Sequence, residues 1–194
     1  VHAKASEEEF VAAGHGLERF DVMYNDFIII GPKEDPAKIG ENAANDVVKA
    51  LKDIHDKQSV FVSRGDDSGT HKKELDCWKQ ADIEPQGEWY VEAGKGMGDV
   101  IQMAEEMNGY TLSDRATYLK MKDTIGLEIL VEGDEQLYNQ YGVIAVNPDK
   151  NDQINAEGAQ AFIDWILSEK VQNLIAEFGK EEFGQSLFIP NAKK

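Results

Sequence analysis

Apolar residues fall along this chain in short blocks whose period switches between two and about 3.6, and polar, glycine-rich turns separate the blocks. The segment "RFDVMYNDFIIIGP" (19–32) predicts one long strand stopped by Gly31–Pro32. Residues 59–63, "GEWYVEAG" (87–94), "YTL" (110–112), "LEILVEG" (127–133) and "QYGVIAVNP" (140–148) predict further strands. Between them, 42–56 and 70–81 carry helical periodicity. A glycine loop at 94–99 runs into a helix with Ile101, Met103, Ala104 and Met107 on its apolar face. Ser113 and Asp114 open a helix through "ATYLKMK", and residues 155–179 hold two helical stretches that meet near Ser168–Glu169. At the front, Ser6 with Glu9 three positions later has capping-box spacing and predicts a helix over 6–13.

Strands and helices alternate throughout, which predicts an α/β fold with largely parallel sheets. Two long apolar strands, 22–30 and 141–147, bracket the central part of the chain, as a pair of strands crossing between two lobes would. The opening "VHA" resembles the end of a strand, so the chain is expected to begin in mid-fold.

Composition narrows the function. The chain has 194 residues and a formal net charge of −17, so phosphate backbones and anionic lipid surfaces are repelled over most of its surface. Nucleic acid is not an expected partner. No apolar run approaches the roughly 18–20 residues of a membrane span. The single cysteine, Cys77, excludes an intrachain disulfide and reads as a small buried helix residue. Trp78, Trp89 and Trp165 read as core or lobe-packing residues.

The densest chemistry lies in "SRGDDSGTH" (63–71), between a predicted strand and a predicted helix. A loop in that position sits at the carboxyl end of a strand and the amino end of a helix, where amides and the helix dipole favour an anion. Gly65 and Gly69 permit close backbone approach, Ser68 and Thr70 add hydroxyl donors, and Arg64 adds a charge with a planar fork of donors. The same residues also suit a plain helix cap, with Ser68 or Asp67 capping and Arg64 in a surface ion pair. Asp66, Asp67 and His71 lack a recognised metal-ligand spacing, and Ser68 with His71 lacks the G-x-S-x-G elbow of a serine hydrolase. The loop is also one residue short of a P-loop and has no lysine after Gly69. A second loop, "GKGMGD" (94–99), offers another helix N-terminus, and Arg115 reads as an internal ion-pair partner ahead of a second anion contact.

Three stretches, "DVMYNDFIIIGPKEDPA" (21–37), "FVSRGDDSGTHKKE" (61–74) and "GKGMGDVIQMAEEMNGYTLSDRATYL" (94–119), together resemble the tungstate-binding solute-receptor family of bacterial ABC importers. The resemblance extends through "YNQYGVIAVNP" to "FIP". It implies a type II periplasmic-binding-protein-like fold, with two α/β lobes joined by two crossing strands. Residues 1–30 would be part of lobe one and the first crossing strand, 31–141 lobe two, and 142–194 the second crossing strand and the C-terminal helices of lobe one. It also implies an exported protein, either periplasmic or a membrane-anchored lipoprotein, that docks onto permease subunits in the membrane. Arg64, Ser68, Gly69 and Thr70 would contact the oxyanion, tungstate or molybdate, with Gly96, Met97 and Gly98 as further cleft residues. No cofactor and no catalysis are implied. Family members begin with a segment bearing a "TTTS"-like anion loop that is not in this sequence. Lobe one is therefore expected to be incomplete, to be completed by a partner chain or a swapped segment. The alternatives are a phosphate or sulfate receptor and, more remotely, a hydrolase using Ser68 or an Asp/His metal site.

Overall fold

The computed structural model describes residues 1–193 and divides into two compact units. One comprises Val1–Asn25 with the residues from Asn139 onward; the other is Asp26–Tyr138. In chain order the elements are α1 (Lys4–Ala12), β1 (Gly16–Pro32), α2 (Ile39–Asn42), α3 (Val47–Asp56), β2 (Phe61–Ser63), α4 (Gly69–Gln80), β3 (Tyr90–Glu92), α5 (Met97–Glu106), β4 (Thr111–Asp114), α6 (Arg115–Met121), β5 (Leu127–Val131), β6 (Tyr138–Val146), α7 (Ala156–Ile166), α8 (Glu169–Glu177), α9 (Lys180–Phe183) and β7 (Ile189–Pro190).

The central unit is built around the second half of β1. Its residues Phe27 to Ile30 pair antiparallel with β4 (Phe27 opposite Asp114, Ile30 opposite Thr111), and Ile29 to Pro32 pair antiparallel with β5 across a register shift at Ile29–Ile30. In this unit β2 pairs parallel with β3, and the Phe61–Tyr110 bridge that leads into β4 is also parallel. The expectation of largely parallel sheets is thus corrected. The α/β alternation is real, but β1 takes antiparallel partners on both sides, and alternation along a chain does not fix strand direction.

β1 is buried on both faces from Phe27 to Pro32, which explains its unbroken "FIIIGP" run. Ile28, Ile29 and Ile30 are fully buried, and around Ile29 gather Ile39, Val47, Leu51, Ile54, Phe61, Trp78 and Tyr110. Trp78 meets Phe61 edge-on at 5.2 Å between ring centroids and Trp89 at 5.5 Å. The helix predicted over 42–56 starts only at Val47, because Asp46 caps α3, accepting the Lys49 N–H at 2.8 Å; α2 is a separate turn that ends at Asn42. The Val47 N–H is taken by Asp134 Oδ2, 87 residues away.

In the other unit, α1 starts two residues earlier than predicted and is not capped by Ser6; Glu7 instead accepts the Ala3 N–H at 2.5 Å. Glu7 is buried and also accepts from Arg19 Nε at 2.7 Å, while Arg19 pairs with Asp21 as well. Here β7 pairs antiparallel with β1 (Met23 opposite Pro190). Asn155 and Ser168 cap α7 and α8. Trp165 is 54 % exposed, against the expectation of a packed core residue, with Phe162 beside it, and Leu174, Phe178 and Ile189 are exposed elsewhere in the same unit. An open apolar cleft of about 740 Å³ runs past Phe10, Val22, Ile144, Val146, Phe162 and Ile166.

Candidate functional site

β2 runs parallel to β3, with Phe61 opposite Tyr90 and Ser63 opposite Glu92. Its other edge bonds to the segment leading into β4, the Val62 N–H donating to the Tyr110 carbonyl at 2.8 Å. Three parallel directions bring three carboxyl ends to one edge, so the loops after β2 and β3 and the end of β4 each lead into a helix start there: α4, α5 and α6. All three lie in the central unit.

The first loop is held tightly. Ser68 is the N-cap of α4, its Oγ accepting the His71 N–H at 3.3 Å. Asp66 Oδ2 accepts from Arg64 Nε at 3.1 Å and Nη2 at 2.5 Å, and Asp66 Oδ1 accepts the Ser68 N–H at 3.2 Å. Bonding to the Ser68 side chain, then the Arg64 guanidinium, lowers the Asp66 carboxyl to about 2. The Asp67 N–H donates to His71 Nδ1 at 3.1 Å, while its carboxylate stands in solvent 3.7 Å from Lys72 Nζ. Gly65 has φ +57°, and a Cβ there would lie 2.8 Å from Glu92 Cβ, so the position demands glycine.

The second loop is joined to the first through the backbone: the Ala93 and Gly94 N–H groups donate to the carbonyls of Ser63 and Arg64 at 2.9 and 2.8 Å. Gly96 is the N-cap of α5, Met97 its first residue with a buried side chain, and a Cβ on Gly98 would come within 3.7 Å of Met121 Sδ. Gly69 and Thr70 form the first turn of α4, where N–H groups have no intrahelical acceptor. Thr70 is buried, while a Cβ on Gly69 or Gly96 would meet nothing within 4 Å. Arg64, Ser68, Gly69 and Thr70 thus share one loop and helix start, and Gly96 to Gly98 open the helix after the neighbouring strand.

The chemical alternatives fare differently. Ser68 Oγ bonds the backbone of His71 and His71 Nδ1 bonds the backbone of Asp67, so no serine–imidazole pair forms between them. Asp66 and Asp67 point to different partners, and among the described residues no three His, Cys, Asp or Glu side chains could hold a metal ion. Arg115 is an ion-pair residue, as its leading reading has it: its Nε and Nη2 donate to Asp26 at 2.8 and 2.6 Å, and Nη2 to Glu132 at 2.7 Å. Bonding to Asp26 first, and then to Glu132, raises its pKa. Cys77 is buried, and desolvation pushes its thiol up to about 12. Sequence reasoning passed over Ser63, Glu74 and Tyr90, which lie beneath the first loop. Only the spacing of Thr70, Glu74 and Trp78 on one helix face hinted that Glu74 is buried.

The profile of the PBP superfamily domain matches residues 1–170, which defines the class: a binding-protein fold of mixed α/β architecture. The chain is 63% identical over its whole length to the tungstate-binding protein TupA of Peptoclostridium acidaminophilum, spanning 68% of that relative. The tungstate-binding protein TupA from Desulfovibrio alaskensis G20 superposes with a TM-score of 0.88 at 45% identity, covering all of this chain and 78% of its own. The tungstate ABC transporter structure from Geobacter sulfurreducens gives 0.70 at 48% identity, covering 92% of this chain and 75% of its own. This chain belongs to the tungstate-binding protein TupA family. These relatives are named as binding or transport proteins, in keeping with the non-enzymatic expectation. Among the described residues no helix is long and apolar enough to cross a membrane.

Proposed function

We propose that the chain captures tungstate, and molybdate as a second ligand of like charge and shape, for an ABC importer. The ligand binds at the Arg64 loop. Arg64 supplies the positive charge, the free first-turn amides at Gly69 and Thr70 supply directed donors, and the Thr70 hydroxyl, with that of Ser68 once it turns from Asp66 to the ligand, completes the set. Gly96, Met97 and Gly98 contribute through the start of α5. With a net charge of −17 the attraction is local, from this donor cluster, because the field of the whole chain opposes an anion.

The observation that carries the choice of anion is the state of Asp66. Both of its oxygens are engaged, one by Arg64 and one by the Ser68 N–H, and its carboxyl stays ionised down to about pH 2. Phosphate keeps a proton at neutral pH and benefits from a free carboxylate acceptor; tungstate, molybdate and sulfate are pure acceptors and do not. A carboxylate already committed to Arg64 supports the pure acceptors. The partners and compartment follow from the same reading: permease subunits in the membrane, and a location outside the cytoplasmic membrane, periplasmic or lipid-anchored. Calorimetric titration with tungstate, molybdate, sulfate and phosphate tests it. Tungstate is expected to bind tightest and phosphate weakest, and phosphate binding as tight as tungstate overturns the reading.

A further inference from the structure

Beneath the Arg64 loop lies a buried carboxylate that the binding chemistry itself does not call for. Glu74 sits on α4, four residues after Thr70 and four before Trp78, and is 3 % exposed. Its Oε1 accepts from Tyr90 Oη at 2.7 Å and from Trp78 Nε1 at 3.2 Å. The Ser63 hydroxyl lies beside this carboxylate and favours its charged form. Ser63 is fully buried, and its Oγ in turn accepts the Gly65 N–H at 3.2 Å. One side chain therefore ties together the last residue of β2, the first residue of β3 and the middle of α4, and through Ser63 it reaches the peptide that follows Arg64.

We infer that Glu74 is the positioning residue of the oxyanion site: through Ser63 and Tyr90 it fixes the backbone from which Arg64 projects. The inference rests on the reading of the Arg64 loop as the tungstate site. Arg64 is pinned on both sides of its Cα-to-Gly65 peptide, its carbonyl held by the Gly94 N–H at 2.8 Å and the next N–H held by Ser63. The left-handed Gly65, pressed against Glu92, leaves that peptide little room to turn. Donors fixed before the ligand arrives lose less freedom on binding, which is what such an anchor supplies.

Two costs argue that the acceptor is needed here. Burying a carboxylate is strongly unfavourable unless donors surround it; burial accordingly raises the pKa of Glu74, while Tyr90, Ser63, Trp78 and the nearby His71 work the other way. A negative charge below an anion site also opposes the ligand. A methionine of similar length would fill the space without either cost, but it would leave three donors from three elements unpaired.

The test is calorimetric titration with sodium tungstate of Glu74→Gln, Glu74→Met, Ser63→Ala and Arg64→Gln, with the unfolding midpoint measured for each. Glu74→Gln keeps an acceptor oxygen for Tyr90 and Trp78 and should stay within about threefold of the unaltered affinity. Glu74→Met keeps the packing and removes the acceptor, and should bind about tenfold or more weakly. Full affinity in a folded Glu74→Met protein overturns the inference. Should that variant fail to fold, Ser63→Ala removes only the relay to Gly65 and should weaken binding by about fivefold; full affinity there overturns the inference equally. Arg64→Gln separates the two readings. Undiminished affinity in that variant overturns the site itself, whereas a loss there with none in Glu74→Met overturns the role of Glu74 alone.

Discussion

Replacing Arg64 by glutamine removes the only full positive charge in the first loop while keeping a side chain of polar character. In the structure the Arg64 side chain is 19 % exposed and gives Nε and Nη2 to a single oxygen of Asp66. Its Nη1 is thereby left for a second acceptor, such as an oxygen of the bound tungstate. A hydrogen bond from a charged donor is worth about 1.5–3 kcal/mol. At about 1.4 kcal/mol per factor of ten, its loss weakens binding by roughly 10- to 150-fold. Asp66 adds to the loss: its carboxyl, lowered to about 2, remains ionised at neutral pH, and without Arg64 it stands uncompensated beside the dianion. Asp66→Asn in the Arg64→Gln background should therefore recover part of the affinity. Arg64→Lys should also recover only part, because an ammonium lacks the planar fork. The assay is calorimetric titration with sodium tungstate near pH 7.5, with circular dichroism to verify the fold. Affinity within about twofold of the unaltered protein, in a folded Arg64→Gln variant, would refute the assignment of charge to Arg64.

Other consequences concern the fold of the central unit. A Cβ on Gly31 would lie 2.7 Å from Tyr110 Cε1, and that ring cannot step aside, because it is fully buried with its hydroxyl bonded to Asp35 and to the Ala37 N–H at 2.8 Å each. Gly31→Ala should destabilise the protein by about 1–3 kcal/mol in chemical denaturation, and a change under about 0.5 kcal/mol would contradict the packing argument. The Cys77 thiol, pushed up to about 12 by burial, should resist iodoacetamide at pH 8 in the folded protein and react once denaturant is added. Because its folded pKa lies above the unfolded value of 9.0, its contribution to stability is complete below pH 9 and is lost as pH rises toward 12, which urea titrations at pH 8 and pH 10 would register. Labelling of the native protein at pH 8 as fast as in denaturant would show the thiol to be accessible.

The sequence by itself determined what depends on groups a few residues apart. Ser68, Asp114, Asn155 and Ser168 cap their helices with bonds spanning three residues, so those starts were legible, Ser68 and Asp114 by name. The strand–loop–helix setting of Arg64, Ser68, Gly69 and Thr70 was legible for the same reason, as were the three stretches that carried the family. Tertiary structure decided the rest. β1 reads as a strand from its apolar run, but its antiparallel partners β4 and β5 lie some eighty to one hundred residues away in register pairs such as Ile28–Ser113 and Ile29–Val131. No local pattern selects among such partners. Gly31 reads as punctuation, yet its smallness serves the ring of Tyr110. Trp165 has the composition of a core residue and lies exposed. Glu74 reads as one more acidic residue on a helix of a very acidic chain. Its neighbours Ser63 and Tyr90 reach it only once β2 and β3 pair and α4 packs against them. A capping bond is fixed by the torsions of one turn, whereas a buried carboxylate finds its donors only where separate elements meet, and that meeting is set by the packing of the whole unit.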